Sequence, residues 1–245
     1  MSDSYFNWLA RETRSRAWIN NPTQDEIGLA LVNGAVACTS NPAYGGNLLK
    51  RAPGEILPDI VEIAATGTTG DEAVAQVQQR LVSRILPRFA PLHERSAGRE
   101  GWVSLQGAPE LDTSLEPILE SARLARSLAP NCIPKIPATE PGLEAMELLV
   151  RDDEPVLMTE VFSLAQVIET CERYGRASAA SGHRPVFIMA PITGIFGDHL
   201  RKLALRDSIE VGADALAQAG VIWAREAKRL VDARDYPVQL LYGGA

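Results

Sequence analysis

The chain has 245 residues, of which 46% are hydrophobic, and this is enough to fill the core of one large domain. Its formal net charge of −7 argues against nucleic acid or an anionic membrane surface as a partner, because both bind clustered Lys and Arg. Three scattered cysteines suggest neither a disulfide framework nor a zinc site, and no stretch has the apolar length of a signal peptide or membrane span. We therefore expect a cytoplasmic protein.

Short apolar runs alternate with longer helical patterns along the whole chain. The runs predict seven strands, at 16–20, 35–41, 101–106, 131–138, 155–161, 184–191 and 236–243. Helical patterns follow them at 22–34, 71–89, 111–130, 141–150, 163–175 and across 198–234. Such regular alternation is typical of parallel α/β folds, in which a helix covers the sheet between successive strands.

The first of these helices begins with a recognisable signal. Thr23 and Glu26 have the spacing of a capping box, in which each side chain accepts a hydrogen bond from the other residue's backbone N–H. The sequence thus predicts that a helix begins just after Thr23.

Polar residues occur near the carboxyl ends of five predicted strands. Side chains alternate between the faces of a strand, and this period groups Asn20, Asn41, Gln106, Lys135 and Thr159 on equivalent faces. A closed barrel brings such residues together at one mouth, whereas an open sheet spreads them widely. No glycine-rich nucleotide-binding loop follows any strand. We therefore predict a TIM-type (β/α)8 barrel.

Lys135 lies in an unusually apolar stretch, Asn131–Ala138, between Ile133, Pro134, Ile136 and Pro137. Such surroundings lower the pKa of a lysine by penalising its charged form, and a neutral amine is the nucleophile that Schiff-base chemistry needs. The residues alone favour instead a lysine that extends to solvent or pairs with a carboxylate.

Four motifs together resemble the transaldolase family. They are "TSNP" at 39–42, "WVSLQ" at 102–106, "KIPAT" at 135–139 and "TEVFSLAQ" at 159–166, in the family's order and rough spacing. The resemblance extends from about Trp18 to the end of the chain. It implies an eight-stranded α/β barrel that forms a Schiff base with a ketose, without metal or cofactor. By the same resemblance Lys135 is the nucleophile, Asn41 binds substrate hydroxyls, and Thr159 holds the catalytic water.

The sequence also departs from the family pattern at the residues expected to transfer protons. The family usually has aspartate at the position of Asn20 and glutamate at Gln106, although the related fructose 6-phosphate aldolases also resemble this chain at Gln106. An amide cannot accept a proton as a carboxylate does. Glu160 has the opposite parity to Thr159, so we expect it outside the barrel unless the strand ends there, in which case it could substitute for a lost acid. Leu157 occupies the position of a family asparagine.

A second departure concerns the substrate's phosphate. The family motif after strand six, which ends in a phosphate-binding arginine, reads "APITGI" here, with Ala190, Ile192 and Ile195. Either the anion is held differently or the substrate carries none. Candidate replacements begin a predicted helix after Gly197, namely His199, Arg201 and Lys202, although an ordinary solvated helix surface explains them better.

These observations predict one barrel domain over residues 1–245, with a helical insertion at about 43–100. With seven strands predicted, we expect the eighth to be missing from the chain or replaced by another element. The expected function is transfer of a dihydroxyacetone-type unit, as in the pentose phosphate pathway. The predicted catalytic residues are Lys135, Thr159, Gln106 and Asn20, and the predicted substrate-binding residues are Asn41, Thr39, Ser104 and Ala190.

Two other functions remain open from the sequence. One is an aldolase that releases free dihydroxyacetone, and the other is an inactive barrel that binds a sugar or a protein. The expected partner is a small sugar or sugar phosphate rather than nucleic acid or a membrane, and a homo-oligomer is compatible with the sequence.

Overall fold

The computed structural model describes residues 4–243, which form ten α-helices and seven β-strands. The strands are β1 (Ala17–Asn20), β2 (Ala35–Thr39), β3 (Val103–Gln106), β4 (Cys132–Pro137), β5 (Val156–Val161), β6 (Phe187–Pro191) and β7 (Gln239–Leu240). The helices are α1 (Tyr5–Glu12), α2 (Gln24–Val32), α3 (Tyr44–Arg51), α4 (Leu57–Ala65), α5 (Gly70–Arg95), α6 (Leu115–Leu128), α7 (Glu140–Arg151), α8 (Leu164–Ser181), α9 (Ile195–Arg206) and α10 (Ala213–Ala233). Within residues 4–243, no helix is both long and apolar enough to cross a membrane.

The strands follow one another in the sheet in the same order as in the chain, from β1 to β7. The pairs β1–β2, β2–β3, β3–β4, β5–β6 and β6–β7 are parallel. A doubly wound open sheet would reverse its strand order at a switch point, and no reversal occurs among the described strands. The fold is therefore of the predicted TIM-type α/β class, with seven strands rather than eight in residues 4–243.

The chain divides into two compact units. The first comprises the described residues up to Asp112 together with Glu116–Lys135, and the second comprises Thr113–Leu115 and the described residues from Ile136 onward. The prediction of one domain over residues 1–245 stays a prediction, and its first three and last two residues lie outside the described ones.

The core of the first unit forms between the early strands and the long helix α5. Leu81, Ile85 and Phe89 of α5 are fully buried and belong to the same hydrophobic cluster as Cys38 of β2 and Val103 of β3. The helix passes through the exposed Pro87 and Pro91 to Arg95 instead of ending near residue 89 as predicted, and Leu92 packs partly buried against the same cluster. Each proline removes one backbone hydrogen bond, and we infer that the burial of the opposite face compensates for this loss.

The second unit has its own aromatic core. Tyr174 of α8 stacks on Phe187 of β6 with ring centroids 4.2 Å apart, and its hydroxyl donates to the Pro185 carbonyl at 2.7 Å. Pairing the hydroxyl lets the ring be buried without leaving a polar group unsatisfied.

Both units contain a helix that begins with a capping box. The Thr23–Glu26 box at the start of α2 is confirmed: Thr23 N–H donates to the Glu26 carboxylate at 2.8 Å, and Glu26 N–H donates to Thr23 Oγ1 at 3.3 Å. Ser163 and Gln166 form the same arrangement at the start of α8, which the sequence interpretation did not identify.

The predicted start of the helix after Gly197 is wrong. Helix α9 begins at Ile195, so Gly197 lies inside its first turn. A Cβ at Gly197 would lie 2.7 Å from the Leu216 carbonyl oxygen of α10, and glycine is therefore required by close helix packing rather than by a helix boundary.

The last predicted strand, 236–243, is also shorter than expected. Only Gln239–Leu240 form β7, and Pro237, which has no N–H to donate to a neighbouring strand, lies before its start. An isolated parallel bridge between Gly243 and Ile192 continues the pairing beyond β7.

Candidate active site

The early strands of the first unit have an apolar face and a polar face. Cys38, Val103, Leu105 and Cys132 belong to the core cluster that contains α5. Because side chains alternate along a strand, their polar neighbours lie on the opposite face. These neighbours are Thr39, Ser104, Gln106 and Lys135, and the strand register pairs Gln106 with Lys135 and Asn20 with Thr39. The structure thus places five predicted site residues of this unit on one face.

Lys135 is the only lysine on this face, and its side chain is partly buried. Its Nζ donates a hydrogen bond to the Ser40 carbonyl at 3.2 Å. A backbone carbonyl orients the amine without supplying a formal negative charge. On the side of Ser40, the amine thus contacts a polar group that carries no negative charge.

The position of Ser40 depends in turn on Ser104. Ser40 N–H donates to Ser104 Oγ at 3.1 Å, and Ser40 Oγ donates to the Ser104 carbonyl at 2.7 Å. Both serines are completely buried. Ser104 therefore fixes the backbone that contacts Lys135, and its predicted role in binding substrate stays a prediction.

A group of amide side chains lies where β1 and β2 end. Asn20 Oδ1 accepts a hydrogen bond from Thr39 Oγ1 at 2.9 Å. Asn41 follows β2 and is bound twice by Asn21: Asn21 Nδ2 donates to Asn41 Oδ1 at 2.9 Å, and Asn41 N–H donates to Asn21 Oδ1 at 3.2 Å. The predicted residues Asn20, Thr39 and Asn41 thus lie in one local network.

Asn21 is a residue that the sequence interpretation missed. Strand parity places it on the face opposite Asn20, but its backbone has φ +47, a left-handed conformation that asparagine tolerates better than most residues. This turn brings its buried side chain to Asn41. The Asn-Pro dipeptide at 21–22 was the available signal, because it favours a turn directly after the strand.

Gln106 is buried at the end of β3, and its backbone carbonyl accepts a hydrogen bond from Gln78 Nε2 of α5 at 3.2 Å. Its side chain is an amide, so it orients a ligand or a water but does not act as a base. Gln78 supports this strand end from the helix side and was not identified from the sequence.

The other predicted residues belong to the second unit. Thr159 of β5 is 1% exposed, and its carbonyl accepts from Ala138 N–H at 2.8 Å. Ala190 of β6 and Leu157 of β5 are buried, and Leu157 pairs in register with Ile188. The roles of Thr159 and Ala190 stay predictions.

The backbone of β5 is irregular directly after Thr159. Glu160 has φ +59, which is rare for a residue with a side chain, and the register of β5 on β6 shifts between Met158 and Val161. A bulge of this kind interrupts the alternation of side chains. Strand β5 nevertheless continues to Val161, so it does not end at Glu160, and a role for Glu160 as a replacement acid stays a prediction.

The candidate phosphate ligands of the second unit lie on α9. Ile195 is the first residue of this helix, and His199, Arg201 and Lys202 are exposed within it rather than at its start. Arg201 is paired with Asp198. Since the N–H groups that favour anions lie in the first turn, these three residues do not form the predicted helix-terminus site.

The remaining histidines have structural surroundings. His93 packs edge-on against Trp102 with ring centroids 4.5 Å apart, and His183 Nδ1 lies 2.8 Å from the Arg151 carbonyl. Within residues 4–243, no three His, Cys, Asp or Glu side chains are grouped to hold a metal ion.

The cysteines are poor candidates for a nucleophile. Cys38, Cys132 and Cys171 are free and buried. Burial raises the pKa of Cys132 and of Cys171 to about 12, and it raises the pKa of Cys38 further still. Their thiols are therefore protonated at neutral pH, and a thiolate is the form that attacks.

Comparison with known proteins identifies the family. A sequence model described as transaldolase/fructose-6-phosphate aldolase matches residues 18–241. A transaldolase of Thiobacillus denitrificans is 31% identical over 183 residues, which cover 67% of this chain and 49% of the relative. Transaldolases of Neisseria gonorrhoeae and Saccharopolyspora erythraea are 39% and 28% identical, covering 66% and 78% of this chain and 48% and 53% of the relatives. The chain thus spans about half the length of these curated relatives. It belongs to the transaldolase/fructose-6-phosphate aldolase family.

Proposed function

We propose that this chain is a transaldolase-type enzyme that transfers a dihydroxyacetone unit from a ketose through a Schiff base on Lys135. Family membership supports the reaction class. The observation that carries the proposal is the placement of Lys135, whose Nζ contacts the Ser40 carbonyl on the face that also bears Thr39, Ser104 and Gln106. We assign the reaction to the pentose phosphate pathway of the cytoplasm.

The reaction begins with the neutral amine of Lys135. Its lone pair attacks the ketose C2 carbonyl, and the resulting carbinolamine loses water to give an iminium ion. The hydrogen bond to Ser40 O directs one N–H of the amine toward the backbone. Because the lone pair cannot point at the oxygen that accepts this N–H, it attacks the ketose from another side of the nitrogen.

Cleavage uses the iminium as an electron sink. The C4 hydroxyl loses its proton to a base, the C3–C4 bond breaks, and its electron pair moves into the iminium to form an enamine while the aldehyde leaves. The enamine carbon then attacks an acceptor aldehyde, whose oxygen takes up a proton. Water hydrolyses the new iminium, which releases the product ketose and restores Lys135.

The amides of the first unit bind and orient the substrate in this proposal. Asn20, Asn41 and Gln106 each offer both a donor and an acceptor, as sugar hydroxyls require. Thr39 orients Asn20 through their 2.9 Å hydrogen bond. Thr159 binds the water that transfers protons, and Glu160 is the carboxylate that we propose as its proton acceptor.

The substrate is a ketose whose phosphate, if it has one, is not held as in other family members. Ile195 cannot provide the two parallel hydrogen bonds that an arginine donates to a phosphate. We therefore expect smaller discrimination between phosphorylated and unphosphorylated ketoses than in a member with that arginine.

Borohydride trapping tests the proposal directly. The protein is incubated with phosphorylated and unphosphorylated ketoses, reduced with borohydride, and weighed intact by mass spectrometry. We expect a sugar adduct that is absent in Lys135→Ala and retained in Lys50→Ala, a matched control on the exposed part of α3. Absence of an adduct with every ketose would instead indicate a barrel that binds a ligand without catalysis.

A second measurement separates transferase from aldolase. We expect little free dihydroxyacetone when the ketose is supplied without an acceptor aldehyde, because the enamine then remains bound. Steady release without acceptor would identify an aldolase that uses the same lysine.

A further inference from the structure

A pocket of about 770 Å³ lies in the first unit at the opposite end of the strands from Lys135. Its wall includes Ala35 and Val36, the first two residues of β2, whereas Thr39 of the candidate active site ends that strand. The chemistry proposed for Lys135 uses no residue of this pocket.

The pocket is basic although the chain as a whole is acidic, even though Arg11 is paired with Glu12 and Arg16 with Glu100. Its lining contains four arginines and one glutamate, in a chain with a formal net charge of −7. They are Arg11, Arg16, Arg88, Arg95 and Glu100. Like charges held close together repel one another, and a concave basic surface concentrates anions.

Arg16 has a structural role in this wall. Its Nη1 donates to the carbonyls of Ala10, Thr13 and Ser15 at 3.0, 3.2 and 3.0 Å, and its Nε contacts Glu100 Oε1 at 3.3 Å. Arg16 therefore holds the end of α1 in place, and Glu100 neutralises it.

Arg88 and Arg95 differ from Arg16 because their charges are not matched. They lie seven residues apart on α5, which places them two turns apart on the same side of the helix. Neither forms a hydrogen bond or ion pair with any residue in 4–243, and both are exposed. Two guanidinium groups on one pocket wall are thus available to a ligand.

Apart from Asn7, the rest of the lining is apolar. Leu31, Val36, Pro91 and Leu92 contribute to the same pocket. Its volume is within the range of roughly 300–1,000 Å³ that is typical of sites for small organic ligands. An inorganic ion alone would leave this apolar surface and most of the volume unused.

We propose that this pocket binds an organic phosphate, with its phosphoryl groups on Arg88 and Arg95 and its carbon body against the apolar wall. Planar guanidinium groups bind phosphate oxygens through paired, charge-assisted hydrogen bonds. The ligand is distinct from the ketose at Lys135, because the two sets of residues lie at opposite ends of β2.

Isothermal titration of the whole protein tests this proposal. ATP, glucose 6-phosphate and inorganic pyrophosphate are the probes, at low and at physiological salt. We expect an organic phosphate to bind more tightly than pyrophosphate and to weaken as salt rises. The comparison of ATP with glucose 6-phosphate distinguishes a nucleotide from a sugar phosphate as the ligand. Tightest binding of pyrophosphate, or no binding of any probe, would overturn the proposal.

Paired variants locate the binding. The double variant Arg88→Gln, Arg95→Gln should bind at least about tenfold more weakly, because it loses two charge-assisted contacts. The control double variant Arg184→Gln, Arg225→Gln removes two exposed arginines of the second unit, and it should bind the organic phosphate as tightly as wild type. The same is expected of Lys135→Ala. Neither arginine pair forms a hydrogen bond or an ion pair within residues 4–243, so both double variants should melt near the wild-type temperature. Undiminished binding in the Arg88, Arg95 variant would show that the phosphate binds elsewhere.

Discussion

At the scale of single residues, buried Ser104 holds the backbone of Ser40, which in turn contacts the proposed nucleophile Lys135. Replacing Ser104 with alanine removes the acceptor of Ser40 N–H in a completely buried site. We expect Ser104→Ala to lower the free energy of unfolding by about 1–3 kcal/mol, the usual cost of an unsatisfied buried polar group. Urea unfolding measures this change, and the exposed Ser83→Ala on α5 is the control.

The same variant should also affect the chemistry. Because Ser40 O contacts Lys135 Nζ, movement of Ser40 should lower kcat and the rate of borohydride trapping. Wild-type stability and wild-type kcat in Ser104→Ala would together contradict the supporting role.

Replacement of Glu160 tests whether its carboxylate is the proton acceptor. If its carboxylate accepts the proton, Glu160→Gln should lower kcat at least about a hundredfold, the usual minimum for general acid–base catalysis. Formation of the trapped adduct with Lys135 should continue, because the lysine itself is unchanged. Glu144→Gln, on the exposed side of α7, removes the same charge and should have no effect. An unchanged kcat in Glu160→Gln would exclude this role.

Residue positions were predictable from the sequence where regular alternation holds. The placement of Asn20, Thr39, Gln106 and Lys135 on one face follows from the period of two along a strand. Asn21 and Glu160 were not predictable in this way, since both adopt positive φ values that interrupt the alternation.

At the scale of elements, the helices were predicted best where their ends carry local signals. Helix α2 begins after Thr23 as predicted, because a capping box is formed by residues only three positions apart. Helix α5 passes through two prolines to Arg95, because contacts with strands distant in sequence stabilise it. Helix α1 was not predicted, and part of its anchoring comes from Arg16, which binds the Ala10 carbonyl.

The capping box of α2 gives a prediction about pH. The Thr23 backbone N–H and, to a lesser extent, Arg51 hold the pKa of Glu26 below its ordinary value of 4.5, against an opposing effect of burial. A carboxyl whose pKa is lowered by folding stabilises the fold fully above its unfolded pKa, and this stabilisation is lost as pH falls through the lower folded pKa.

We therefore expect Glu26→Ala to lower the free energy of unfolding by about 1 kcal/mol at neutral pH. The difference from wild type should shrink as the pH falls below 4.5, because the wild-type carboxylate then becomes protonated. Denaturant unfolding across this range measures the effect. Asp25→Ala, an exposed acidic residue in the same turn, should show a smaller difference at neutral pH. A pH-independent difference for Glu26→Ala would indicate lost packing instead of a lost carboxylate contact.

At the scale of the whole molecule, the strand order could be predicted because each strand is followed by its own helix along the chain. The arginine pocket could not be predicted. Its charged lining comes from residues 11–16 and 88–100, which are more than 70 positions apart and share no motif. Only the packed structure shows that these arginines line the same wall.

The three cysteines report on unfolding of the entire chain. Cys38, Cys132 and Cys171 are each at most 1% exposed, and burial keeps their thiols protonated by raising their pKa values. We expect the native protein to show no fast-reacting thiol with an aromatic disulfide reagent, and the protein in denaturant to show three. If only global opening exposes them, all three should react at one rate, and a destabilising variant such as Ser104→Ala should accelerate all three equally. Rapid labelling of one cysteine alone, identified by peptide mass, would instead show that the structure around that cysteine opens locally while the rest stays folded.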